Sequence, residues 1–379
     1  MTLFDENVSV VPAPPRRLRR STATGLWALS VALLVLLVLS FLPTAYVIQQ
    51  PGPVIDTLGT SENSDGEQVP LITVPDGQDT TGSGRLDLLT VQVVGNRERT
   101  PSWLELVGAW FDPSRAVVPL DRIFPAGETT EERNTQNVAL MNDSQQEATA
   151  AALEKLGYDV GQHVRVNQLS DDAAAAGSIE AGDTILSVDG VPADSAIAVR
   201  DAVQAAAGAP VSIELERDGR DSTVEVTPAL VEDGGESAYV LGVVLENAFD
   251  FPIDVEIQLN NVGGPSAGMM FALGIIDKLS PEDLTGGQHF AGTGTIDAEG
   301  NVGPIGGIRQ KLYGARDAGA TWFLAPEANC DEVVGHVPDG LRVFSTATLE
   351  QSLTVLETVR DGGDLDALPT CGAETAAGS

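Results

Sequence analysis

Two short segments carry side chains that could do chemistry together. GGPSAG, Gly263 to Gly268, sets Ser266 between a Gly-Gly-Pro turn and the apolar run MMFALGII. GGIRQK, Gly306 to Lys311, opens a helical pattern that runs to Ala320. A serine at that place has two readings. It can cap a helix, accepting a hydrogen bond from the first backbone N–H groups. It can also be a nucleophile, which needs a base, an oxyanion site and a path for substrate.

The histidines offer a first base. His163, His289 and His336 are all the chain has, and none stands in a segment patterned around it. A Ser-His esterase remains open as a reading, and it predicts damage from changing His289 or His336. Lys311 offers a second base. At ~100° per residue Ile308, Leu312, Ala315 and Ala318 form one apolar helix face, and Lys311 falls inside it. Arg309, Gln310, Tyr313, Arg316 and Asp317 are expected to point elsewhere. A lysine on a buried face either snorkels to water or loses charge, because burial disfavours the ammonium. A neutral amine can take a proton from serine, whereas arginine stays charged. Only three lysines occur, Lys155, Lys278 and Lys311, among 21 basic residues, so lysine here stands out in a chain that otherwise uses arginine.

The elements that must position these residues come from the rest of the chain. Its 379 residues allow two to three domains. A net charge of −34 repels nucleic acid, so no nucleic-acid partner is expected. Three histidines and two cysteines argue against a metal site, and no Gly-Lys pair exists to form a Walker loop; no cofactor is expected. Leu26 to Val47 carries no charge and follows Arg16, Arg17, Arg19 and Arg20. As a helix this stretch covers about 33 Å, enough for a bilayer core of about 30 Å, and the arginines keep its N-terminal side cytoplasmic. The alternative is a cleaved signal peptide, which would have a shorter apolar core and a small-x-small site. An outward body permits a disulfide, and Cys330 with Cys371 is the single pairing available; two free thiols are the alternative.

Further along, QQPGPV reads as a turn and Gly59 to Gly66 as linker. Leu86 to Val94 reads as a buried strand, Trp103 to Phe111 as a short helix and Met141 to Leu156 as a longer one. From Asp159 to Val231 the order is strand, Gly-Asp turn, strand, helix Ile197 to Ala207, and a hairpin turning at Asp218-Gly219. The pattern A-G-x-x-x-x-G-D-x-I-x-x-x-D-G, Ala176 to Gly190, resembles a PDZ domain. That resemblance implies binding of an extended peptide on a sheet edge, with Gly157 to Val160 as the loop gripping the peptide carboxylate.

GGPSAG and GGIRQK together, with AGTGTIDAEGNVGPIGGIRQKLYGARDAGA and FLAPEANC, resemble the proteolytic domain of Lon-type serine peptidases. The resemblance implies a Ser266–Lys311 dyad with Thr293 supporting the lysine, and a PDZ block inserted within the peptidase fold. Gly264 and Ala267 are expected to shape the turn and helix start beside the serine. Thr295 stands where ATP-dependent Lon has glutamate, and the ATPase half is absent from this chain. The architecture resembles the membrane-anchored, PDZ-containing Lon-like peptidases of Gram-positive bacteria. The expected fold is α+β: cytoplasmic tail 1–24, transmembrane helix 25–48, linker and first strands 49–84, peptidase 85–158, PDZ 159–232, peptidase 233–360 and a disordered tail 361–379. Expected partners are polypeptide substrates, the cytoplasmic membrane and further copies of the chain in a homo-oligomer. The expected activity is an ATP-independent serine endopeptidase. The competing class is a catalytically silent PDZ adaptor.

Overall fold

A computed structural model describes residues 20–62, 66–75, 84–125, 127, 129–170, 172–233, 236–259 and 262–372. The chain forms two compact units, one of Met1–Gln49 with Val93–Ala126, the other of Gln50–Gln92 with Gly127–Ser379.

In the smaller unit, helix Arg20–Phe41 contains most of the apolar stretch, and helix Trp103–Trp110 starts at a Ser102/Glu105 capping box. Tyr46 to Gln49 pair antiparallel with Ala116 to Pro119. Arg16, Arg17 and Arg19 lie outside the described residues, as do the side chains at 20–23, 36 and 39–41. Among the described residues no helix is long and apolar enough to cross a membrane.

The larger unit is built on a mixed α/β sheet. Its strands run in the order Arg342–Thr346, Trp322–Pro326, His289–Gly292, Arg85–Val94 and Tyr46–Asp56, and the first four are mutually parallel. Alternation along these strands separates two cores, since successive side chains face opposite sides. Leu86, Leu88, Phe290, Leu324 and Phe344 pack with helices Gly268–Leu279 and Leu349–Arg360. Leu89, Ala291, Phe323 and Val343 pack with helix Ile308–Asp317. Every residue from Gly268 to Asp277 is buried, the all-round burial of a helix covered on each side.

QQPGPV is not a turn: Pro51 and Pro53 lie inside strand Tyr46–Asp56. Gly52 makes this possible, because a Cβ there would stand 2.3 Å from Thr90 Oγ1 on the neighbouring strand. The stretch read as linker folds as a hairpin, Thr60–Glu62 against Gln68–Pro70. The helix expected from Met141 begins at Thr130, where Thr129 and Glu132 form a capping box. Capping groups start this helix well before its apolar face begins.

The PDZ part has the expected hairpin, Val211–Arg217 with Arg220–Val226, turning through positive φ at Asp218 and Gly219. Its sheet does not end at residue 232. Strand Val243–Asp250 returns to pair antiparallel with Gly161–Leu169. This closing strand is recruited by a partner some 80 residues earlier, a pairing that local pattern does not reveal. Residues 361–372, expected as disordered tail, are held in place. Leu365 and Leu368 pack on the core, Ser345 N–H donates to the Pro369 carbonyl, and Cys371 is disulfide-bonded to Cys330. The rest of that tail, 373–379, lies outside the described residues.

Candidate active site

Ser266 and Lys311 approach from opposite faces of the central sheet. Strand His289–Gly292 ends just before Thr293, which lies within hydrogen-bond distance of both Lys311 Nζ and the Ser266 carbonyl. Crevices at the carboxyl ends of parallel strands are where open α/β sheets place their ligand sites.

Ser266 does not cap the helix. The N-cap position is Ala267, and no side chain caps there. The Ser266 hydroxyl instead meets Lys311 Nζ at 2.8 Å. Lys311 Nζ also lies 2.8 Å from Thr293 Oγ1, which in turn donates to the Ser266 carbonyl at 2.9 Å. Counting protons assigns these bonds. A threonine hydroxyl has one hydrogen, and Thr293 gives it to the Ser266 carbonyl, so toward Lys311 it can only accept. A neutral amine then donates one hydrogen to Thr293 and turns its lone pair to the Ser266 hydroxyl.

Burial supplies that neutral amine. Lys311 is 2% exposed, and loss of water pushes its pKa down from 10.5 to about 7. The 3.6-residue period places Lys311 on the buried side, as the structure has it, but Gln310, expected to point elsewhere, is also buried, at 3% exposure. Helix Ile308–Asp317 is buried on more than one stripe, because strand Arg85–Val94 and the loop before the helix also close over it.

The serine loop is fixed by helix Thr130–Lys155. The Gly264 N–H donates to the Asn137 carbonyl at 2.9 Å, and Ser144 Oγ donates to the Pro265 carbonyl at 3.0 Å. Gly264 has φ +87° and makes the turn; its amide is engaged and is no oxyanion donor. Among the described residues, the N–H groups of Ser266 and Ala267 have no acceptor. They sit at the N-terminus of the buried helix, where free donors and partial positive charge suit a developing oxyanion. Sequence reasoning missed Asn137 and Ser144. Ser144 had a readable signal, standing four residues before Ala148 on the helix face shared with Ala151. Asn137 acts through its backbone carbonyl, which no residue type announces.

A cavity of about 510 Å³ opens in front of the pair, lined by Ser266, Lys311, Met141, Val262 and the strand residues Leu88 to Gln92. None of the three histidines hydrogen-bonds Ser266. His289 pairs with Asp87 at 2.6 Å, His336 with the Val334 carbonyl, and His163 lies near Arg165 and Asp250. Among the described residues no cluster of His, Cys, Asp or Glu could hold a metal ion.

With a buried amine, a half-exposed serine and a supporting threonine at hand, the comparison with known proteins is decisive for the domain. Residues 257–359 match the Lon protease (S16) C-terminal proteolytic domain. Ser266, Thr293 and Lys311 all fall within it, and the chain therefore carries a serine-peptidase domain. Residues 173–217 match the PDZ domain. Lon protease 1 of Sorangium cellulosum is 37% identical over 93 residues, 24% of this chain and 11% of that protein. Lon protease 2 of Herpetosiphon aurantiacus is 34% identical over 110 residues, 27% of this chain and 13% of that protein. The chain thus spans only 11–13% of the length of these relatives. Among solved structures, the PDZ domain of an SdrC-like protein from Listeria monocytogenes is 24% identical, covering 22% of this chain and 85% of that one with a TM-score of 0.20.

Within the Lon-type domain, Thr295 pairs with Gly303 in a short two-stranded ribbon. The disulfide bonds Cys330 to Cys371 beside Asn329, whose side chain holds both the N–H and the carbonyl of Ile305. That clamp fixes the loop leading to Gly306 and the lysine helix. In the PDZ part a groove lies between helix Ala196–Ala205 and strand Val243–Asp250, lined by Val199, Val203, Val243 and Leu245. The turn flanking it is Leu241 to Val243. Gly157 to Val160 instead closes the end of helix Thr130–Lys155, where the Tyr158 N–H returns to the Leu153 carbonyl.

Proposed function

We propose that this chain is a serine endopeptidase using a Ser266–Lys311 dyad, anchored in the cytoplasmic membrane with its catalytic body outside. The observation that carries the reading is the 2.8 Å contact between a half-exposed serine hydroxyl and a buried amine of depressed pKa.

The steps follow from the proton positions. Ser266 Oγ attacks the scissile carbonyl while Lys311 Nζ takes its proton, giving a tetrahedral oxyanion and an ammonium. The N–H groups of Ser266 and Ala267 receive the oxyanion, an effect worth about 3–4 kcal/mol per donor in related chemistry. The ammonium returns its proton to the leaving amine as the C–N bond breaks, leaving an acyl-enzyme. Water then enters, gives a proton to Lys311 and attacks the ester, and Ser266 regains its hydrogen as the acid departs. Thr293 keeps the amine aimed throughout.

Action without ATP, on segments that are already unfolded, is part of the same proposal. Strand Val243–Asp250, which ends the sheet order among the described residues, lies beside the apolar groove, and this supports a PDZ role in recruiting or gating extended peptides. Charge-free Leu26 to Val47 and the arginines before it support the anchor and its orientation. Lon-type proteolytic domains that assemble in rings support a homo-oligomer.

The deciding experiment incubates the purified chain with an unfolded protein and compares wild type, Ser266→Ala and Lys311→Met. Cleavage lost in both variants, with folding intact, supports the dyad. Cleavage by Lys311→Met at the wild-type rate refutes it.

A further inference from the structure

Helix Trp103–Trp110 has an unusual exterior. Leu106 and Ala109 are buried against Ile48, which accounts for one side. The opposite side is also apolar and stands in solvent: Leu104 is 52% exposed, Val107 42%, Trp110 65% and Phe111 85%. At ~100° per residue these four fall within about 120° of one another, and Gly108 lies just beside that arc. The helix has a single charged residue, Glu105, which lies off that side. Its carboxylate is folded back on the N-cap, accepting from the Ser102 N–H at 2.7 Å and the Ser102 hydroxyl at 2.8 Å.

The position of this face points to what covers it. Thr44 follows the apolar helix Arg20–Phe41 by three residues. Its hydroxyl donates to the Pro101 carbonyl at 2.9 Å, and its N–H donates to Thr100 Oγ1 at 3.1 Å. The start of helix Trp103–Trp110 is therefore tied to the point where the proposed anchor leaves the bilayer. Charge agrees. Across Val93–Ala126 four arginines, Arg97, Arg99, Arg115 and Arg122, balance Glu98, Glu105, Asp112 and Asp121. A chain of net charge −34 thus has a neutral segment at this place, one that anionic headgroups do not repel.

We infer that the Leu104/Val107/Trp110/Phe111 face is a lipid-docking surface, lying in the outer interface of the bilayer beside the exit of the anchor. Trp and Phe on one side of a short helix suit that depth, where aromatic rings bridge headgroups and acyl chains. Such docking would fix the smaller unit against the membrane at two places, the spanning helix and this face. The inference rests on the anchored reading above, and the test separates the two.

Both native cysteines are bridged, so one introduced cysteine gives a single labelling site. Phe111→Cys and, separately, Leu33→Cys in the apolar helix are labelled with nitrobenzoxadiazole in the full chain. Each is reconstituted in nanodiscs of phosphatidylcholine with phosphatidylglycerol, with and without brominated acyl chains. Loss of emission at both positions in brominated discs is the expected result. Quenching at position 33 without quenching at position 111 overturns the docking surface and leaves the anchor standing. A label at 111 that is blue-shifted but unquenched marks a face covered by a second copy, and also overturns the inference. Absence of quenching at both positions removes the anchor and, with it, this inference. A second variant, Trp110→Glu carrying the position-111 label, should lose the quenching at 111; quenching that survives it counts against the proposal.

Discussion

Replacing Lys311 by methionine tests the buried amine through stability alone, without any substrate. The fall of the lysine pKa from 10.5 to about 7 means that the fold disfavours the ammonium by about 5 kcal/mol. The sign follows from where the protons are. Below pH 7 both folded and unfolded chains carry the charge, and the fold bears the full cost of holding it. Between about 7 and 10.5 the unfolded chain keeps a proton that the folded chain has released, so stability rises by about 1.4 kcal/mol per pH unit. Above 10.5 both forms are neutral and the cost is gone. Methionine has a similar length and no charge, and every other titrating group is common to both proteins. Lys311→Met should therefore be the more stable protein at pH 7, by about 4 kcal/mol, and this advantage should shrink steadily toward pH 10. Urea denaturation of both proteins, in small steps from about pH 6 to about pH 10, reads the difference directly. Parallel stability profiles between about pH 7 and pH 10 would refute the depressed pKa and the neutral-amine mechanism with it; the pH-independent offset between the two proteins also carries the loss of the amine's bonds to Ser266 and Thr293.

The acylation rate measured by rapid mixing should rise with pH and level off above a midpoint near 7, because only neutral Lys311 can accept the serine proton. Thr293→Val removes the acceptor that aims the amine, and single-turnover rates should fall by about 100-fold with KM little changed, while Thr293→Ser restores most of the rate. Ser144→Ala loses the bond to the Pro265 carbonyl and should cost about 1 kcal/mol in denaturation, with a larger proportional loss in kcat since the serine loop slackens. Gly268→Ala would bring a Cβ to 2.8 Å from Ser144 Oγ and 3.0 Å from Ile296 Cγ2, and thermal melting should report a loss of about 1–3 kcal/mol.

Much of the candidate site was legible before any fold was known. Ser266 stands out because its turn and apolar run leave one polar side chain in a distinctive place. Lys311 stands out because a 3.6-residue period puts a lysine on a buried face. Both signals are local, arising from spacing along one element. The PDZ hairpin was legible for the same reason, its turn residues and alternation lying within 16 residues of chain. Local pattern failed wherever the deciding partner was distant. QQPGPV, Gln49 to Val54, reads as a turn from its Pro-Gly-Pro, yet it lies inside strand Tyr46–Asp56, where Gly52 leaves room for Thr90 and Thr90 Oγ1 donates to the Pro53 carbonyl.

What the sequence determined by itself was the inventory: a serine in a distinctive turn, a lysine that burial can neutralise, a PDZ-like block and an apolar segment led by arginines. Tertiary structure decided three other things. It brought a hydroxyl and an amine 45 residues apart to 2.8 Å at the end of a parallel strand. It spent the Gly264 amide on Asn137, leaving the N–H groups of Ser266 and Ala267 for an oxyanion. It closed the PDZ sheet with Val243–Asp250 and pinned residues 361–372 by a disulfide. Periodicity records which face of an element is buried, but which element covers it depends on packing among segments far apart in the chain. Proton positions, free amides and the lysine pKa all depend on that covering.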